Sequence, residues 1–473
     1  MKNILVGRKK EKEELLGLFH SERAEFVTVY GRRRVGKTYL INNIFADTYT
    51  FKVTAVLGGN TQEQLRVFAD ALSKYDKGKT QHLSDWFNAF ESLRTVLEKS
   101  NKKRKVVFFD EMPWFDTRKS RFIPALEHFW NGWASAQNNI MLIACGSAAS
   151  WIAKKLFRNR GGLHNRITRR ILLQPFNLAE CRIYAETMGF PADELSILET
   201  YMTFGGIPFY LSLMSKNLSL AQNVNRLCFS PGGELRDEFD NLYVSLFNNA
   251  SRHVMVVEAL GKRKTGLTRE EIKKITKLPE GGSLSEALAE LELSGFIRKY
   301  NPFARAKKGM LYQLVDHFTL FNIAFMKDCS TDDPDYWMKK RETQSFRVWR
   351  GYAFEQVCLS HARQIIKAIG VAGVITHVES WRSEHTDPGV QIDMLINRND
   401  RVISLCEMKF TDTEFSITKK HVLELRNKRN VFIEETGTKK AVQIALITPV
   451  GIKRNDYSDV VQSIVTAEDL LKD

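Results

Sequence analysis

Residues 25–45 read EFVTVYGRRRVGKTYLINNIF, and their reading decides the fold of the N-terminal half. Residues 26–30 are β-branched and aromatic, the composition of a buried strand. GRRRVGKT follows at 31–38, and an apolar-periodic helix starts near Lys37. This is GxxxxGK[ST] in the context of strand, loop and helix that a phosphate-binding loop requires. Gly31 and Gly36 permit backbone conformations that turn successive N–H groups inward around a phosphate. The helix N-terminus adds partial positive charge, Lys37 reaches the β- and γ-phosphates, and the Thr38 hydroxyl suits Mg²⁺. Arg34, Val35 and Tyr39 complete the residues expected to contact the nucleotide.

Working outward, a second strand must carry the acids that hold the metal and direct water. KKRKVVFFDEMPW (102–114) supplies it: Val106 to Phe109 form a buried strand that ends in Asp110 and Glu111. Asp110 fits a ligand to metal or its water, and Glu111 fits the base that polarises the attacking water. Further strands are expected at 48–56, 139–147 and 169–176. With the intervening helices they make an α/β sandwich whose ligands sit at the C-terminal strand ends. Ser147 ends the fourth strand, where it is either a γ-phosphate sensor or a small turn residue. Arg158, Arg160 and Arg166 follow in a basic stretch. They either contact phosphate in cis, act as a finger toward a neighbouring subunit, or face solvent.

GRRRVGKT, the leading LVGRKKEKEELL, FFDE, CGS and GGIPFYL (205–211) together resemble the archaeal/bacterial P-loop ATPase family of the AAA+/STAND group. The resemblance covers about residues 1–330. It implies ATP as ligand with Mg²⁺, a helical lid, and LVGR near the adenine pocket. It also implies a role for Arg166 at the family's Gly-Arg position, where this chain has Asn165 before the arginine.

Residues 246–326 change character. A helix, a Gly-Leu-Thr turn, and a helix opened by Thr268 with Glu271 three residues on lead to a third helix ending at Gly295. Two strands, FIRKY and LYQLVD, flank a basic loop, which gives a winged-helix pattern. Glu286, Glu290 and Glu292 make the third helix acidic and argue against its lying in a DNA groove. Arg305, Lys307 and Lys308 in the wing are the better DNA contacts. The competing reading is a structural hinge.

After a polar break at 329–337, the order becomes helix, three strands, helix, strand. QIDMLINRNDRVISLCEMKF (391–410) is a hairpin carrying Asp393 on one strand and Glu407 and Lys409 on the next. Residues two apart on a strand share a face about 6.6 Å apart, so Glu407 and Lys409 can address one site. Asp393 joins them if the turn has an odd number of residues centred near Asp400, or a bulge. Such carboxylates suit Mg²⁺ or Mn²⁺, with Lys409 steadying charge on a phosphate and Glu355 completing the metal shell from the preceding helix. The order and these acids resemble the PD-(D/E)XK nuclease superfamily, over about 343–473.

Composition sets the outer bounds. At 473 residues several domains are expected: an ATPase core at 1–175, a helical lid at 176–245, a winged helix at 246–328 and a nuclease-like α/β domain at 343–473. Lys plus Arg exceeds Asp plus Glu by 15, which favours polyanionic partners such as DNA. The six scattered cysteines show no zinc spacing and read as buried free thiols of a reducing compartment. No stretch reaches the ~18 apolar residues of a membrane span, so a cytoplasmic location is expected. The leading expectation is a DNA-associated ATPase with a metal-dependent nuclease domain, able to form homo-oligomers. The alternative is a STAND-like signalling or protein-interaction switch with an inert nuclease-like domain.

Overall fold

The computed structural model describes residues 4–76, 82–157, 161–163, 165–247, 249–263, 266–279, 282–300, 303, 310–327, 329, 333, 335–383 and 389–472. The chain forms two compact units, Met1–Pro175 and Phe176–Asp473.

The first unit is built on β1 (Glu25–Tyr30), β2 (Tyr49–Thr54), β3 (Lys105–Asp110), β4 (Ile140–Gly146) and β5 (Arg169–Leu172). They lie in the order β2-β3-β4-β1-β5, with every pair parallel. Parallel sheets are covered on both faces, which explains why β3 and β4 read as nearly unbroken apolar runs. Phe26, Phe51, Val107, Phe109 and Leu142 on one face meet a dense aromatic core with Phe68, Trp86, Phe90, Phe115 and Phe122. The helix Lys37–Phe45 begins where the loop after β1 ends. β1 and β3 are not adjacent; β4 separates them, so the loop after β1 and the acids after β3 converge across a topological switch in strand order.

The second unit opens with helices, among them Leu178–Met188 and Glu194–Phe204. Helices Ser251–Gly261, Arg269–Thr276 and Gly282–Leu293 then accompany a small antiparallel sheet. Its strands are β6 (Leu267–Thr268), β7 (Ile297–Tyr300) and β8 (Leu311–Leu314), in the order β6-β8-β7. Thr268 caps the second of these helices through a reciprocal bond with Glu271, as its spacing predicts. The acidic third helix is not the exposed negative face that its sequence implies. Glu290 is buried, bonded to His253 at 2.9 Å and Arg252 at 3.4 Å, while Glu286 and Glu292 pair with Arg252 and Lys299. Glu286 and Glu290 tie it to the helix Ser251–Gly261 and Glu292 ties it to β7, which removes the electrostatic argument drawn from these acids.

The polar break at 329–337 also needs correction. Trp337 within it is buried and stacks on Phe229 at 5.4 Å, edge-on to Phe321, Phe325 and Phe346. Beyond it runs the helix Gln344–Ser360, tied to Glu194–Phe204 by Arg350–Glu199 at 2.9 Å, while Arg341, three residues before that helix, pairs with Glu199 at 3.1 Å. The C-terminal sheet contains β9 (Thr376–Arg382), β10 (Gln391–Arg398), β11 (Val402–Met408), β13 (Ala441–Ile447) and β15 (Ser463–Val465). The short β12 (Phe415–Ser416) and β14 (Ile452–Lys453) pair separately. The order is β15-β13-β11-β10-β9, antiparallel through the meander β9–β10–β11 and parallel from β11 outward. The helix Lys419–Thr436 crosses between β12 and β13 and packs Phe432 against Trp381, Leu395, Ile403 and Leu405. Of the six cysteines, all free, Cys329 alone is only partly buried; the other five are buried.

Candidate functional site

In the first unit the loop after β1 is shaped by three residues with positive φ: Gly31 at 139°, Arg34 at 69° and Gly36 at 89°. Gly31 has a second reason to be glycine, because a Cβ there would stand 2.4 Å from the Leu173 carbonyl oxygen. The Lys37 Nζ is buried and donates to the carbonyls of Gly31 at 3.1 Å and Arg32 at 2.9 Å, so it arches back over the loop. Val35 is buried beneath it, and its carbonyl accepts from Arg8 Nη2 at 3.2 Å. Tyr39 donates its hydroxyl to the Ile4 carbonyl at 3.1 Å. The segment LVGR thus lies against the phosphate loop. Arg8 is a loop-supporting residue whose contact sequence spacing alone does not reveal.

Thr38 and Asp110, 72 positions apart, meet through a 2.9 Å bond from the threonine hydroxyl to Oδ1. Burial pushes the Asp110 carboxyl above its ordinary range, partly offset by the Thr38 bond. A hydroxyl and a carboxylate side by side are the donor set that suits a hard cation such as Mg²⁺. Glu111 adopts a left-handed backbone, φ 48°, and one carboxylate oxygen accepts both the Ser147 N–H at 3.0 Å and its hydroxyl at 2.9 Å. Ser147 therefore orients the acid expected to direct water.

Arg166 lies elsewhere. It is exposed and precedes β5, which runs parallel to β1 with Val27 opposite Arg169. Thr168 is level with Phe26, so Arg166 belongs at the N-terminal edge of the sheet, while the phosphate loop leaves the C-terminal edge. That interval of about five residues along a strand, roughly 17 Å, rules out phosphate contact in cis through the sheet face. Asn165 takes φ 57°, the left-handed conformation that glycine and asparagine tolerate best, which accounts for the exchange of one for the other. Arg158 and Arg160 lie outside the described residues, as do Arg305, Lys307 and Lys308.

In the second unit the hairpin register is symmetric about Asp400: Met394 pairs with Cys406 and Asn397 with Ile403. Extended by one step it sets Asp393 opposite Glu407. β10 is also irregular against β9 between Ile392 and Leu395, so Asp393 sits at a bulge. Both carboxylates have cationic partners. Glu407 bonds Lys409 at 3.0 Å through one oxygen and Lys428 at 2.7 Å through the other. Burial opposes its ionisation, but the two lysines outweigh burial and hold its carboxyl below the ordinary range. Asp393 accepts from Gln391 Nε2 at 2.5 Å; burial, reinforced by Glu407, raises its carboxyl, against the pull of Lys428 and Arg298. Glu355 is partly buried and near enough to Lys409 to favour its charged form. Among the described residues no three His, Cys, Asp or Glu converge as a metal cradle. Lys428 was not anticipated, although a signal existed. In the helix Lys419–Thr436 the buried positions are Val422, Leu425 and Phe432, and Lys428 falls on that same stripe.

With this geometry established, comparison with known proteins is informative. Residues 5–214 match the family described as "ATPase domain predominantly from Archaea". Residues 5–214 are thus similar to an ATPase domain. The match runs from the Arg8 segment past the first unit to GGIPFYL, and it supports ATP as the ligand of the loop. Over 438 residues the chain is 23% identical to an uncharacterized protein of Methanocaldococcus jannaschii, covering 90% of this chain and 92% of that one. Among solved structures, a Walker-type ATPase of Pyrococcus abyssi overlaps with TM-score 0.49 and 18% identity, over 68% of this chain and 97% of that one. The ORC2 protein of Aeropyrum pernix, in ADPNP and ADP complexes, overlaps with TM-score 0.43 and 13% identity, over 72% and 97%. Both overlaps are loose. No helix among the described residues is long and apolar enough to cross a membrane.

Proposed function

We propose that this protein is a cytoplasmic, DNA-associated ATPase whose C-terminal residues 343–473 form a PD-(D/E)XK-type, metal-dependent DNA-cleaving domain. In the ATPase site, Lys37 leaves the loop carbonyls for the β- and γ-phosphates, and the inward N–H groups of residues 31–38 hold the phosphate chain. Ser147 keeps Glu111 aimed so that Glu111 can take the proton of the attacking water. Mg²⁺ bound by Thr38 and Asp110 would neutralise phosphate charge. Arg166, remote from its own phosphate loop, is assigned to a neighbouring subunit's nucleotide, which makes a homo-oligomer the competent species.

One observation carries the nuclease reading: a hairpin register centred on Asp400 that aligns Asp393 with Glu407, within the order helix, three strands, helix, strand. Lys409 lies on the Glu407 face and can steady a scissile phosphate. A divalent cation shared by Asp393, Glu407 and Glu355 would supply Lewis acidity at that phosphate. The helix, strand, helix, helix, hairpin order of residues 251–314 supports a winged helix, the element that would bring DNA to the domain. Full-length protein is expected to cut DNA with Mn²⁺, and Asp393→Ala and Lys409→Ala to stop cutting while hydrolysing ATP at the parental rate. Absence of cleavage by the parent across divalent metals overturns the nuclease reading.

A second reading, a STAND-like signalling switch with an inert C-terminal domain, is favoured by one fact: both oxygens of Glu407 are already paired with lysines. A carboxylate so neutralised needs no metal.

A further inference from the structure

The site around Asp393 is not bordered by its own domain alone. Arg298 and Tyr300 lie two apart on β7, so they share a face, and both lie near enough to Asp393 for its charge to act on them. Arg298 pairs across the small sheet with Gln313, its side chain bonded to the Gln313 oxygen at 3.1 and 2.5 Å, and its charge acts on Asp393. Three residues past β7, Phe303 donates its backbone N–H to the Ser380 carbonyl on the edge strand β9 at 2.7 Å. The Phe303 ring meets Phe432 edge-on at 5.1 Å, and Phe432 in turn meets Trp381 at 5.3 Å. Phe432 is one helical turn from Lys428, the residue that holds Glu407 at 2.7 Å.

These contacts have one electrostatic consequence. Two partly buried carboxylates require compensation, and three cations, Arg298, Lys428 and Lys409, already supply it. A divalent cation would bring the same charge to the same place. We propose that β7 and Phe303 form an autoinhibitory clamp on the Asp393–Glu407 site, so that clamp docking and divalent-cation binding exclude one another. The clamp presents Arg298 to Asp393 and, through Phe303 on Phe432, seats the helix that presents Lys428 to Glu407. Releasing it withdraws positive charge from both carboxylates together. Linkage makes the relation reciprocal: a factor by which release tightens cation binding is the factor by which the cation loosens the clamp. This inference rests on the metal-site reading above and specifies its regulation. Because β7 belongs to the segment read as a winged helix, DNA engaging that segment is the natural releasing event.

The test measures Mn²⁺ binding to full-length, nucleotide-free protein by calorimetry, with the Asp393→Ala variant defining the binding that belongs to this site. Arg298→Gln and Phe303→Ala, which remove the two ends of the clamp separately, are each expected to tighten Asp393-dependent binding at least tenfold. Phe303→Cys combined with Ser380→Cys, oxidised, is expected to weaken it, with full recovery on reduction. ATP hydrolysis should stay at the parental rate in all of them, which also reports that they fold. Unchanged Mn²⁺ affinity in opened and locked proteins overturns the clamp, as does the absence of Asp393-dependent binding in every variant. DNA cleavage separates the two claims. Tighter Mn²⁺ binding without cutting upholds the clamp and defeats the nuclease, whereas equal cutting by parent, opened and locked proteins does the reverse.

Discussion

At the scale of single residues, the ATPase site is organised by short reaches across the sheet. Lys37 already sits on two loop carbonyls, so its ammonium closes the loop besides being the group proposed to meet the phosphates. Lys37→Ala is expected to abolish ATP binding, measured by calorimetry, while the thermal transition shows that the sheet is intact. Ser147 has a different job, because it touches Glu111 rather than the loop. Ser147→Ala keeps the backbone N–H bond and loses the hydroxyl bond, so Glu111 remains near but less firmly aimed. The expected outcome is a fall in kcat of roughly tenfold or more, with KM within about twofold, the pattern of an interaction that matters in the transition state. A change confined to KM would contradict that role. Lys37 is legible from motif spacing, whereas Ser147 reads only as the end of a strand, either a sensor or a turn residue, and its bond to Glu111 is not legible. Nor is Arg8 on the Val35 carbonyl, because that bond depends on where the chain enters the sheet.

At the scale of elements, His361 shows how a helix end records its surroundings. It follows the helix Gln344–Ser360 and is buried; Nε2 accepts the Leu178 N–H at 3.1 Å and Nδ1 faces the Val357 carbonyl at 2.8 Å. Nε2 can accept only if the ring is neutral, and burial lowers its pKa from 6.5 to about 4. A depressed folded pKa means that the unfolded chain takes up the proton first. The stability this group contributes is whole above pH 6.5 and is lost as pH falls through 6.5 toward 4, on the order of 3 kcal/mol in all. Urea unfolding between pH 7 and 4.5 should show that slope in the parent and a flatter one in His361→Gln, which accepts a bond without titrating. A parallel slope in the two would remove His361 as the cause. The helix Lys419–Thr436 teaches a related lesson. Its basic composition suggests a solvated face, yet a lysine on its apolar stripe meets a buried acid one strand away.

At the scale of the whole chain, an excess of 15 positive charges is the feature most directly open to measurement. If DNA is a partner, binding by full-length protein should weaken steeply with salt, with log K falling linearly in log[salt] at a slope near 0.9 per phosphate contacted. Weak binding that ignores salt would favour the signalling reading.

The sequence by itself determined the elements whose signals are local. Strand β1, the glycine loop and the helix at Lys37 follow from residue types within 21 positions, as do the Thr268 cap and the hairpin centred on Asp400. Tertiary structure alone decided the meetings of distant segments. It brought Thr38 to Asp110 and Ser147 to Glu111, sent Arg166 to the far edge of the sheet, buried Trp337 within a break that reads as polar, set Lys428 upon Glu407, and left Arg298 near enough to Asp393 for their charges to act on each other. The reason is physical. Backbone preference and periodicity act over a few residues, whereas a buried charge finds its partner through the packing of whole elements, which no short stretch encodes.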